Sequence, residues 1–186
     1  MANLVGREEN SAVAKEPDGL KIVVKCLRYG LERKVWAGIS WTAYSSLLPL
    51  SNLTICDGNN EVLTDLGLVE LLIRCLTEHV SRIEVSLAIS SLNQMVFCLA
   101  SRQRMMLCGA KDVLSNVIAN ESSYPEVTGR MARRIIWMLN RQNEVQKHRQ
   151  TSARQGGQLF LNFSTANTQL AQRINFVRSE YHTRYY

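Results

Sequence analysis

Proline occurs only three times in the 186 residues, and aromatic side chains make up just 7% of them. Such a composition suits helices better than a β-sandwich with its many turns. No apolar run approaches the roughly 18 residues that a bilayer crossing takes. The opening stretch, Met1 to Asn10, lacks the basic segment followed by an apolar run that marks an export signal. The expected setting is therefore the cell interior, cytoplasm or nucleus. Three histidines, His79, His148 and His182, stand apart from any second ligand at a metal-binding spacing. Gly156 and Gly157 lack both the strand before and the Lys-Ser/Thr after that a phosphate loop uses. No nucleophile is accompanied by a base and an orienting partner. The chain thus reads as a non-enzyme that needs no metal or cofactor. The five cysteines (Cys26, Cys56, Cys75, Cys98, Cys108) are odd in number and mostly sit among Leu, Ile, Phe and Val. They read as free thiols acting as small hydrophobes.

What is present is an ordinary apolar fraction, 46%, in a chain of one-domain size. Charge is unevenly spread. Residues 1–80 hold 8 basic and 10 acidic side chains, whereas 81–186 hold 14 basic and 6 acidic. A negatively charged partner is expected to be drawn to the C-terminal half.

Three segments open with Gly and continue in an apolar pattern, at Gly19–Leu27, Gly67–Leu76 and Gly109–Ile118. Each Gly suits a corner between helices, where a residue without Cβ takes a left-handed conformation cheaply. A longer helix is expected after each: about Leu31–Cys56, Ile83–Ala100 and Pro125–Asn140. Their apolar residues recur at steps of three and four, as one buried helical face requires. Pro49 is expected to kink or break the first of these near Leu48. Pro125 fits a first helical turn, with Ser122 or Ser123 as N-cap. A third, short stretch precedes the later glycines, Asn60–Leu66 and Arg102–Cys108.

This three-helix unit, its period in the low to middle forties, and two lines of sequence resemble armadillo repeats. The lines are Leu50-Ser51-Asn52-Leu53-Thr54 and the run from Asn59 through Gly67 to Leu72. The resemblance covers residues 17–142 and implies an all-α fold, a right-handed superhelix of about three such repeats. The irregular helical bundle is the competing all-α architecture. In the family, the longest helix of each repeat lines a concave groove that holds an extended peptide. Aligning the long helices at Asn52, Cys98 and Met138, then stepping back four and eight residues, keeps to one face. That alignment nominates Tyr44 and Leu48 with Asn52, then Ser90 and Gln94, then Arg130 and Arg134. Asn52 takes the place of the family's backbone-binding Asn. The Trp that the nuclear-import branch carries one turn earlier is Leu48 here. Trp41, three residues before Tyr44, is either core or groove.

Arg130, Arg133, Arg134 and Arg141 lie in a stretch, 127–143, that holds no acid. Guanidinium groups grip carboxylates or phosphates in a bidentate way; the alternative is a solvated face whose stems cover apolar surface. Residues 1–16 read as a flexible N-terminal segment, and 143–186 as a basic, polar tail with a possible capping or docking helix. The function expected is a non-enzymatic adaptor or scaffold that holds an extended, acidic protein segment. The alternative is RNA or DNA binding by the basic half. Self-association stays open.

Overall fold

A computed structural model describes residues 17–78 and 81–154, with side chains for 18–78 and 81–141. The expected flexible segment 1–16, and the tail beyond Arg154, lie outside the described residues. The chain divides into two units, Met1–Leu139 and Asn140–Tyr186. The second contributes helix, Asn140–Arg154, to what is described.

The first unit opens with α1, Pro17–Leu31, whose Leu20, Val24 and Leu27 share one buried face. Its end is closed by the backbone. Lys34 donates to the carbonyl of Tyr29 and Arg33 to that of Gly30, with Arg33 left-handed at φ +52°. A small hairpin follows: β1, Val35–Trp36, pairs antiparallel with β2, Ile39–Ser40. Ala37 and Gly38 make its turn, both at positive φ, as a tight right-twisted hairpin requires. Then comes α2, Ala43–Leu53.

The single long helix expected from Leu31 to Cys56 is therefore wrong. The left-handed exit at Arg33 ends α1, and the β-prone Val35 and Trp36 find a partner strand. Gly19 is also not a corner, since it lies inside α1. Pro49 does not break its helix. Only the carbonyl of Ser45 loses a donor, while burial of Ala43, Leu47, Leu50 and Leu53 spans the site.

The remaining elements are α3 Asp57–Asp65, α4 Leu68–Thr77, α5 Arg82–Met95, α6 Leu99–Leu107, α7 Ala110–Ala119, a 3₁₀ turn Glu121–Ser123 and α8 Glu126–Arg154. Among the described residues the protein is all-α apart from the hairpin. A pattern repeats along them. Helices α3 and α6 have 9 residues each, and α4 and α7 have 10 each. The glycines before α4 and α7 are both left-handed, Gly67 at φ 82° and Gly109 at φ 68°. Those two corners stand as expected, because a Cβ there would crowd the backbone.

Packing follows the same step. Helix α2 lies against α5, α3 against α6, and α4 against α7. Ser86 Oγ of α5 meets Thr128 Oγ1 of α8 at 3.0 Å. Leu47, Leu50 and Leu53 of α2, and Ile89, Leu92 and Met95 of α5, are all at most 1% exposed. Each contributes about 1.5–3 kcal/mol by leaving water. Between α3 and α6 the contact is polar, with Thr64 Oγ1 and Ser101 Oγ 2.6 Å apart in the interior.

Gly30 lets α1 approach the start of α2. A Cβ there would stand 2.7 Å from the backbone carbon of Thr42. Gly30→Ala is expected to lower unfolding free energy by about 1–3 kcal/mol, read from the urea midpoint. An unchanged midpoint would mean that the two backbones are not in close contact.

Candidate functional site

The outward faces of α2, α5 and α8 carry most of the nominated residues, and local signals fix where each helix starts. Thr42 caps α2, accepting from the backbone of Ser45. Ser81 caps α5 in a reciprocal box: Glu84 donates from its backbone to Ser81 Oγ, and Ser81 donates to Glu84 Oε2 at 2.7 Å. The other oxygen, Oε1, accepts the backbone N–H of Tyr44 at 2.8 Å. One carboxylate thus satisfies donors at the starts of two neighbouring helices. At the far end of α5, Arg102 Nη1 donates to the carbonyls of Val96 and Phe97 at 2.9 and 3.3 Å. Burial pushes the Arg102 guanidinium below its ordinary value.

Buried positions give the register between helices. Ala43, Ser46, Leu47, Leu50 and Leu53 of α2 are matched by Val85, Ala88, Ile89, Leu92 and Met95 of α5, each 42 positions on. Val85, Ile89, Leu92 and Met95 are matched in turn by Thr128, Ala132, Ile135 and Met138 of α8, 43 positions on. Leu48 therefore corresponds to Ser90, and Asn52 to Gln94. All four are half-buried on matching faces of two packed helices. Tyr44 is 46% exposed one turn before Leu48. So the alignment at Cys98 was one turn out, yet it reached the same side of α5.

On α8 it reached a different side. Met138 corresponds to the core residues Leu53 and Met95, not to Asn52. The positions in line with Ser90 and Gln94 are Arg133 and Trp137, both exposed. Arg134 corresponds to buried Ser91. It is half-buried, with its guanidinium carbon 5.1 Å from the centre of the Phe97 ring. Arg130 is exposed and pairs with Glu126 at 3.7 Å. Arg133 pairs with Glu121. The acid-free stretch is thus met by carboxylates from just outside it. Arg141 belongs to the second unit, where it is half-buried in its helix.

Trp41 precedes α2 and turns to the hairpin. Its Nε1 donates to the carbonyl of Trp36 at 3.2 Å, and the two rings are 6.3 Å apart. It is a hairpin residue, half-buried, and does not lie on the α2 helix that carries Tyr44.

A hollow of about 630 Å³ opens between the first halves of α5 and α8. Its wall includes Ile83, Leu87, Val127 and Met131, with the hydroxyls of Ser86, Ser90 and Thr128. Ile83 is 62% exposed. Exposed Arg82 also lines it. Of the nominated residues only Ser90 lines it. The others were missed because the alignment matched terminal apolar doublets. A better signal lay in the sequence: Cys56 and Cys98 share the 42-residue step of Gly67 and Gly109.

No group of three or more His, Cys, Asp or Glu that could hold a metal ion occurs among the described residues. No helix among them is long and apolar enough to cross a membrane. No family model, curated protein or solved structure matches this chain.

All five thiols are free. Burial pushes the Cys75 thiol up to about 12, with Glu84 and Glu78 adding to the effect. Its thiolate is scarce until the pH nears that value. In native protein at mildly alkaline pH, Cys75 should resist iodoacetamide long after half-buried Cys56 and Cys98 are labelled. Mass spectrometry of the digests reads the order; equal labelling of Cys75 would contradict its burial.

Proposed function

We propose that the chain is a non-enzymatic binding protein that holds an extended, acidic segment of another protein along α2, α5 and α8. On this reading the recurring helix trios are armadillo-like repeats stacked in a right-handed superhelix, and the three helices form its inner wall. Support comes from the three-step packing of α2 on α5, α3 on α6 and α4 on α7, and from the two left-handed glycines.

The observation that carries the proposal is the hollow between α5 and α8. Its exposed Ile83, with Leu87, Val127 and Met131, suits an apolar side chain of the partner. Ser90 offers a hydroxyl that suits a peptide backbone, whereas those of Ser86 and Thr128 already bond each other. Half-buried Asn52 and Gln94 extend the polar lane with amides that both donate and accept. Arg82 in the lining, with Arg130 and Arg133 on the exposed side of α8, favours carboxylates on that partner. The pairs of Arg130 and Arg133 with Glu126 and Glu121 are exposed, so exchanging them for a partner's carboxylates costs little.

The test is affinity capture with the full chain, followed by mapping of each captured partner on peptide arrays. Two variants serve as controls, Ile83→Asp and Arg82→Glu/Arg133→Glu. Expected is a partner whose binding maps to an acidic stretch containing an apolar residue, with affinity falling about tenfold or more in each variant. Retention of every partner by both variants would sink the proposal, as would mapping to a basic stretch. Capture of a second copy of this chain in place of an acidic segment would do the same.

A further inference from the structure

The first eighty residues carry a net negative charge by count, yet folding gathers cations on one side of α1. Lys21, Lys25 and Arg28 follow one another at four and three residues, so they stand on the same helical face. Lys34 joins them from the turn after the helix. The four, with Tyr29, line a hollow of about 340 Å³ whose floor is Val24 and Leu66. Glu32 is the single acid in its wall.

Two of the cations are already engaged, but weakly. Lys21 pairs with Asp18 at 3.1 Å and Lys34 with Glu32 at 2.8 Å. Their side chains are 58% and 62% exposed, so an incoming anion replaces these carboxylates at little cost. The Glu32 carboxyl is held below its ordinary value, chiefly by its hydrogen bond from Lys34 and also by Arg74 and Arg28. It therefore stays ionised at neutral pH and offsets only one of the positive charges. Lys25 is steadied differently. Its ammonium lies 4.8 Å from the Trp36 ring centre and 5.7 Å from that of Tyr29, over two rings stacked 6.0 Å apart. That contact restrains the Lys25 stem and leaves the ammonium free to hydrogen-bond outward.

We propose that this hollow binds clustered phosphates, as in a polyphosphate or a multiply phosphorylated small molecule. A single carboxylate would leave most of the positive charge uncompensated. Adjacent phosphates match it, with Arg28 supplying a bidentate fork and the lysines supplying point charges. The site is separate from the α5–α8 hollow and does not depend on the acidic-segment proposal.

The chemistry is shared by soluble polyphosphates and by phosphorylated inositol lipids, so two probes are used on the full chain. Calorimetric titration with inorganic tripolyphosphate reads the soluble source. Co-sedimentation with phosphatidylcholine vesicles carrying phosphatidylinositol bisphosphate, against vesicles carrying phosphatidylserine, reads the lipid source. Lys25→Gln/Arg28→Gln removes two charges from the hollow. Lys111→Glu on α7 changes net charge by the same amount elsewhere and serves as control. Saturable binding of either phosphate probe is expected, about tenfold weaker in the double variant and near wild type in the control. Quenching of tryptophan emission should accompany it, because Lys25 lies over Trp36. Binding of neither probe would overturn the proposal, as would equal losses in both variants. Equal retention on phosphatidylserine vesicles would also overturn it, since it would mark non-specific attraction to anionic surfaces.

Discussion

Glu84 joins the two helices from which most of the candidate groove is built. Its carboxylate closes the cap at Ser81 and accepts the N–H of Tyr44. The starts of α2 and α5 are therefore held in one register, and their buried faces then match along their length. The constraint is local and ties the two helix starts together, while the buried residues set which side of each helix meets solvent. With α5 set in this way, Leu48 and Asn52 line up with Ser90 and Gln94, and the hollow toward α8 opens beside them. Just past the other end of α5, Arg102 binds the carbonyls of Val96 and Phe97. A helix anchored at both ends is a firm wall on which to display polar side chains.

Charge is distributed less simply than a count by halves implies. On α8 the arginines have nearby carboxylates, Glu126 for Arg130 and Glu121 for Arg133. Their field is softened, though solvent exposure keeps the pairs exchangeable. On α1 the reverse occurs. Helical spacing puts Lys21, Lys25 and Arg28 on one face, and the closing turn brings Lys34 beside them. Among the described acids of residues 1–80, Asp57, Glu61, Asp65, Glu70 and Glu78 do not line the hollow. Proximity, which the fold sets, decides local potential more than net charge does.

Helical periodicity and the left-handed need at Gly67 and Gly109 were legible in the residues, because each acts over a turn or two. The hairpin at Val35–Ser40 was not. Its strands are two residues each, too short to show an alternation. The exit of α1 falls on Arg33, a residue with no preference for the conformation it adopts. Pro49 misled in the opposite direction: packing of Leu47, Leu50 and Leu53 outweighs the one hydrogen bond that it removes.

The site shows the same division. The α5 face at Ser90 and Gln94 was reached even with the alignment a turn out, because four residues make little more than one turn. On α8 the offset was not a whole turn, so Arg134 proved to pack near Phe97 while Arg133 and Trp137 took the aligned positions. The sequence by itself determined helix type, two of the three expected corner glycines and the absence of a long apolar span, since backbone preferences and periodicity are written in neighbouring residues. Only the tertiary structure decided which arginine faces outward, where the hollows open and which cations gather. The first two rest on contacts between residues some forty positions apart, where a shift of one or two residues turns a side chain to another face; the third rests on the turn that ends α1 and brings Lys34 beside its helix.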